Sequence, residues 1–208
     1  MEAAIGMFSR PIRALELGTW FGEGSTQIWL KKLLPGSSLT LVDSWKPYAS
    51  EADLNEAAFN YAQMDARMLE AFLSTVLVVK KCEYERNGEI NINIMRGDSD
   101  DVLGGMRDGH FDFVYIDGDH KYKNSKKDIV HAKRIACDEF SIICGDDLER
   151  LPSEEYIKIA KENLDKDFLL EQGFHPGLML AIHEEFGTVN CKNGFWWIFK
   201  RNGEFTLT

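Results

Sequence analysis

The sequence predicts an open, mostly parallel α/β sheet with helices on both faces. Three observations carry this. Strand-like and helix-like segments alternate from Arg13 onward, the rhythm of parallel strands joined by crossover helices. Two apolar runs, Phe111 to Ile116 and Ser141 to Cys144, show no polar alternation, as expected of central strands covered on both faces. Asn193-Gly194, between two further strand-like segments, signals a hairpin, so an antiparallel pair closes the sheet.

Taken in order, Arg13 to Gly18 reads as a short strand, followed by a glycine-rich turn and an amphipathic helix over Glu23 to Leu34 that Pro35-Gly36 stops. Ser38 to Val42 is a second strand, ended by Asp43, and Leu54 to Leu73 carries a helical pattern through Ala57, Ala58, Tyr61, Met64, Met68, Leu69 and Phe72. Glu89 to Met95 alternates strictly between polar and apolar, which suits a strand near the sheet edge. A helix over Lys123 to Ala136 joins the two central strands. Ser153 to Leu164 is polar and helical; Pro176 starts a second helix that runs to Phe186, with Gly187 as its stop. Thr188 to Lys192 and Phe195 to Lys200 form the final pair, in which the adjacent Trp196 and Trp197 face opposite sides.

The 208 residues suit one domain, 1–208, and are too few for two of ordinary size with a linker. A net charge of −10 would repel a polyphosphate backbone, which argues against nucleic acid. The four cysteines form no CxxC and are expected reduced, in a cytoplasmic protein. No apolar run approaches the length of a membrane helix and the first residues carry no export signal.

Ligands of open α/β sheets sit beyond the carboxyl ends of the strands, and the unusual residue clusters fall there. Gly18, Gly22 and Gly24 leave room for a ligand against the backbone where the first helix begins, or simply make a tight turn. Their GxxxGxG spacing is not the dinucleotide GxGxxG, which leaves an NAD-linked enzyme a distant alternative. Asp43 can accept both hydroxyls of a ribose, and Asp98-Ser99 ends the third strand within reach of an adenine. Each alone could be a cap; their joint placement at successive strand ends favours a ligand.

ELGTWFGEGST, LVDSW, RGDS, YIDGDHKY and ICGDD together resemble a class I S-adenosylmethionine-dependent methyltransferase. The DGDHxY segment and the DD pair resemble the metal-dependent O-methyltransferases of the macrocin and mycinamicin sugar group and, more distantly, the catechol and caffeoyl-coenzyme A enzymes. The resemblance implies a Rossmann-like seven-stranded sheet of order 3-2-1-4-5-7-6. It implies S-adenosylmethionine held by Glu16, Gly18, Gly22, Gly24 and Ser25 around its methionine part, with Asp43 at the ribose and Asp98 and Ser99 near the adenine. It places Mg²⁺, or another divalent cation, on Asp117, Asp146 and Asp147, and makes His120 the catalytic base beside Asp117. A lysine replaces this histidine in the catechol-type enzymes and an asparagine the second acid of the pair, so phenolic substrates become less certain.

The chemistry agrees with that set. An alcohol is a poor nucleophile while protonated; a bound cation stabilises the oxyanion and a nearby base removes the proton. Hard oxygen ligands suit Mg²⁺, and an imidazole with an ordinary pKa near 6.5 accepts a proton at neutral pH. The bland alternative makes Asp117, Asp119 and Asp147 caps and His120 a surface residue. Asp119 is read as a cap in either case. His175 is the reserve base, His110 and His183 are structural, and Trp45 packs either on the cofactor or in the core. Segments 46–75 and 148–175 are expected to cover a small-molecule or carbohydrate acceptor, unless a second subunit in a homodimer supplies those contacts. Two rivals stand beside the O-methyltransferase: a metal-independent N- or C-methyltransferase, and a nonenzymatic domain that binds adenosyl ligands.

Overall fold

The computed structural model describes residues 1–47 and 61–208. The elements run α1 (Glu2–Ile5), β1 (Arg13–Leu17), α2 (Ser25–Lys32), β2 (Ser38–Asp43), α3 (Tyr61–Ala66), α4 (Met68–Glu85), β3 (Asn91–Arg96), α5 (Ser99–Gly104) and β4 (Phe113–Ile116). There follow α6 (Tyr122–Ile135), β5 (Phe140–Leu148), α7 (Glu154–Lys161), α8 (Pro176–Phe186), β6 (Asn190–Lys192), β7 (Gly194–Arg201) and β8 (Glu204–Thr206). They form one sheet of order β3-β2-β1-β4-β5-β7-β6, with β8 also on β7. β3 to β5 pair in parallel, and β7 runs antiparallel to β5, β6 and β8. The expected order is therefore observed. β8 is additional, lying along the same edge of β7 as β6.

Strand alternation divides the core into two layers. Leu15, Leu17, Val114, Ile116 and Ile143 face α6 and α8, meeting Ile129, Ile135 and Leu178 to Ile182. Ala14, Leu39, Leu41, Phe113, Tyr115, Ile142 and Cys144 face the other way, against Trp29 and Leu30 of α2 and Val79 and Cys82 of α4. Trp196 belongs to the first layer and Trp197 to the second, as adjacent strand residues must. At the amino end of the strands, buried Asp112 accepts the Arg13 backbone N–H at 2.8 Å and pairs with the Arg10 and Arg13 guanidinium groups. That end is closed; the carboxyl end is open.

Two boundaries differ from expectation. The helix expected over Leu54 to Leu73 lies partly outside the described residues, and beyond them it is broken at Arg67 and continues to Glu85. Thr75, Val79 and Cys82 extend its buried stripe, although the β-branched run between them reads locally as strand. β5 extends past Cys144 to Leu148 through a bulge between Gly145 and Leu148. This carries both Asp146 and Asp147 in the strand, and Asp147 takes φ +66° there.

Candidate active site

A cleft of about 980 Å³ opens over the carboxyl ends of β1, β2, β3 and β4. Its first half is organised by backbone. Gly18 has φ +79°, and a Cβ there would lie 1.7 Å from the Asp117 carbonyl oxygen, so only glycine lets the β1 turn meet the end of β4. Thr19 and Trp20 donate their N–H groups to one Asp43 oxygen at 3.0 and 2.9 Å, and Trp45 N–H donates to the other at 2.7 Å. Burial raises the Asp43 pKa and these amides oppose the rise. The Trp20 carbonyl accepts from Trp45 Nε1 and Thr75 Oγ1, which pins the turn from below.

Of the expected cofactor residues, Gly18, Gly24, Ser25, Asp43, Asp98 and Ser99 line the cleft, and Glu16 and Gly22 do not. Glu16 is fully buried beneath it, where its Oε1 accepts the Ser25 and Thr26 hydroxyls at 2.7 and 2.9 Å. It holds the start of α2 rather than facing a ligand. Gly22 turns towards α4, where an added Cβ would meet Thr75 at 3.2 Å. Trp45 is core: it is 1% exposed and packs edge-on to Phe72. Asp98 both lines the cleft and caps α5, accepting the Asp100 N–H at 3.0 Å.

The second half is organised by charge. Asp117 ends β4 and accepts the Tyr115 hydroxyl at 3.2 Å. Burial, and then the charge of Asp147, push its pKa up to about 6. His120 Nδ1 lies 3.2 Å from Asp167, and Nε2 lies 3.2 Å from Asp147 without the alignment of a hydrogen bond. Burial works against a charged ring, but Asp147 and Asp167 outweigh it and push the His120 pKa up to about 10. Asp147 is correspondingly lowered by His120. The imidazole near 6.5 expected from sequence is thus replaced by one that holds its proton in this charge environment.

Asp117, His120 and Asp147 bring ligand atoms within 4.8 Å of one another; His120 with Asp167 and His175, and Asp147 with Glu149 and His175, do the same. Asp146 joins none of these groups, since its carboxylate is turned to the Asp147 N–H at 3.1 Å. In the group that contains Asp117 and Asp147, the third residue is His120. His175, the reserve base, is buried, its Nδ1 lies 2.9 Å from Glu149 Oε1, and it packs on the His120 ring at 4.2 Å. Asp119 sits in the turn before α6, accepting from Lys121 N–H and Asn124 Nδ2. His110 and His183 lie apart, one against Phe111 and the other within bonding distance of the Gly187 carbonyl. Sequence reading missed Glu149 and Asp167; Glu149 had the signal of standing two residues after the DD pair, and Asp167 in a polar loop had none.

The fold, the backbone-lined turn and the acidic strand ends are those of a methyl-transferring domain, and a family model described as a methyltransferase domain matches residues 15–148. The chain belongs to that family. Its class I S-adenosylmethionine-dependent methyltransferase fold is shared with a putative enzyme of that kind from Methanococcus maripaludis, at TM-score 0.53 and 14% identity over 98% of this chain and 83% of that one. An O-methyltransferase from Bacillus cereus in complex with SAH aligns at TM-score 0.45 and 17% identity, covering 90% of this chain and 71% of that one. The YcgJ protein from Bacillus subtilis aligns at TM-score 0.43 and 11% identity over 78% of this chain, which spans 58% of YcgJ. No curated protein sequence matches. Among the described residues no helix is long and apolar enough to cross a membrane.

Proposed function

We propose that the domain transfers a methyl group from S-adenosylmethionine to a hydroxyl of a small molecule or sugar, with a divalent cation at Asp117 and Asp147. The observation that carries this reading is the meeting of Asp117, His120 and Asp147 beside the glycine turn. The donor fits the first half, where glycines, backbone amides and Asp43 offer a floor and hydroxyl acceptors. A cation fits the second, because buried Asp117 is held near pKa 6 by burial and by Asp147, a stress that positive charge relieves. When bound, the cation would supply an electrophile for the acceptor oxygen.

The chain's own groups do the rest. His120 would handle the acceptor proton once positive charge at Asp147 offsets one of the two acids that keep its ring protonated; its Nε2 is free of an aligned partner and its Nδ1 faces Asp167, the arrangement by which a carboxylate orients a general base. His175 and Glu149 buttress that ring from the next loop. Of the two segments expected to cover the acceptor, Lys46, Pro47, Arg67 and Ser74 line the cleft and residues 48–60 lie outside the described residues, while 148–175 brings Asp167 and His175 to His120.

Labelled methyl donor, offered with hydroxylated glycosides and catechols, should yield a methyl ether in the presence of Mg²⁺ and none after chelation. A second reading, a metal-independent methyltransferase, is favoured by one observation: His120 already sits between Asp147 and Asp167 and balances their charge. Full transfer in chelator, or methyl found on nitrogen or carbon, would decide for it.

A further inference from the structure

Glu149, Asp167 and His175 have so far served only to hold the His120 ring, yet with it they form a group of another kind from the acids at the strand ends. Asp167 and His175 flank a short loop closed on itself: Leu169 N–H donates to the Phe174 carbonyl at 3.0 Å and Gly173 N–H to the Leu169 carbonyl at 2.7 Å, so the residues on either side meet. Tyr122 N–H donates to the Leu164 carbonyl at 3.0 Å, which ties this segment to the one that carries His120. Asp167 and His175 are both buried. Donor atoms of His120, Asp167 and His175 all lie within 4.8 Å of one another, and His120 Nδ1 is 3.2 Å from Asp167 Oδ1. Two donors on one tetrahedral ion, with bonds of about 2.0 to 2.2 Å, stand roughly 3.4 Å apart. Each imidazole also has a carboxylate at a second nitrogen: Asp147 Oδ2 lies 3.2 Å from His120 Nε2, and Glu149 Oε1 lies 2.9 Å from His175 Nδ1. Acids placed in this way fix the tautomer and orientation of histidines that bind a metal.

We propose that His120 Nδ1, His175 Nε2 and Asp167 form a binding site for a borderline divalent ion of the Zn²⁺ class, apart from the cation at Asp117 and Asp147. Two imidazoles and one carboxylate suit zinc, cobalt or nickel, whereas Mg²⁺ prefers oxygen ligands alone. Three protein ligands leave one position of a tetrahedral ion for water. The acids that hold a proton on His120 attract an ion in its place, and on binding that proton leaves to solvent. A ring ligated at Nδ1 keeps its other hydrogen on Nε2 and has no lone pair for an acceptor's proton, so an occupied site switches methyl transfer off. That consequence rests on the methyl-transfer reading above; the site itself does not.

The test is titration of the metal-stripped full chain, in excess Mg²⁺ and without substrate, with Zn²⁺ by calorimetry and with Co²⁺ followed by its visible absorption. One ion should bind, with the absorption of a four-coordinate nitrogen and oxygen set. Glu149→Gln should weaken binding by about 10- to 100-fold, His175→Ala by more, and Asp117→Asn least of the three. An ion lost in Asp117→Asn and kept in His175→Ala sits on the strand-end acids and overturns the proposal. So does a thiolate charge-transfer band, which would put the ion on a cysteine, or the absence of Zn²⁺ binding in excess Mg²⁺. If His175→Ala does not fold, Glu149→Gln decides alone, and unchanged affinity there overturns the proposal. In a separate assay with Mg²⁺, methyl transfer should fall as Zn²⁺ fills the site, and binding without inhibition would remove the switch. If no acceptor is methylated in that assay, the methyl-transfer reading fails while the binding result stands.

Discussion

The two halves of the cleft are built on different physics. On the side of β1 and β2 the carboxylate of Asp43 is satisfied by three backbone N–H groups, and the surface is set by glycines and a pinned turn. On the side of β4 and β5, Asp117, Asp147, Asp167, His120 and His175 set one another's charge. The first half is ready before a ligand arrives, because its partners are fixed by the chain fold. The second changes state with whatever charge enters it. On the proposed reading, a fixed donor site beside a reacting site that responds to charge suits methyl transfer.

The largest effect is expected where the halves meet. Gly18→Ala puts a Cβ 1.7 Å from the Asp117 carbonyl at a φ of +79°, and should cost several kcal/mol, about 3 or more, with loss of both ligand binding and the folded transition in a thermal melt. Gly177→Ala separates them. Its Cβ would lie 2.2 Å from the Tyr122 nitrogen and 2.5 Å from the His120 carbonyl, pushing α8 off the loop that carries His120. Methyl transfer should fall steeply while S-adenosylhomocysteine affinity, measured by calorimetry, stays within about threefold. Equal loss of both would show that the halves are one unit.

Asp147→Asn comes next. It removes one of two carboxylates that flank His120 and the acid that stresses Asp117 most. Turnover should drop by about 10³-fold or more, and the shift in melting temperature given by Mg²⁺ or Mn²⁺ should disappear, with donor affinity unchanged. Asp43→Asn acts on the other half: an amide NH₂ must face either the Thr19 and Trp20 N–H groups or that of Trp45. Donor affinity should weaken by about 10- to 100-fold, while turnover at saturating donor is largely kept.

The same contrast explains what was legible in the sequence. Strand order and the cleft's position follow from apolar runs, glycines and strand-end acids, all local signals, and Gly18, Asp43 and Asp117 stand where those signals put them. Asp167 reaches His120 across 47 residues from a loop with no periodicity, and no local pattern could report it. Asp146 and Asp147 look equivalent in sequence, and only the bulge in β5, with its positive φ at Asp147, turns one of them into the cluster and the other away. The ring of His120 was readable as a base by type, but its protonation depends on those long-range acids. Glu16 illustrates another limit: a strand residue before a glycine turn can point into the cleft or beneath it, and alternation along β1 sends its side chain beneath.

Glu16 also offers the smallest and cleanest test, because it asks whether the backbone-built half is free of charge stress. Its Oε1 takes two hydroxyls, but its Oε2 is buried without a partner, and burial raises its pKa to about 8. In the unfolded chain the carboxyl titrates near 4.5. Between these values the folded protein binds the proton and the unfolded chain does not, so stability contributed at this residue falls as pH rises from about 4.5 to 8 and levels off above. Glu16→Gln keeps an acceptor for Ser25 and Thr26 and has no proton to lose. The difference in unfolding free energy, wild type minus Glu16→Gln, should therefore decline across that interval, with the variant relatively better at pH 9 than at pH 5 in urea titrations. Other titrating groups cancel in the difference. A flat difference would mean that Glu16 stays ionised when folded, and that the donor half, like the reacting half, carries an uncompensated charge beneath its floor.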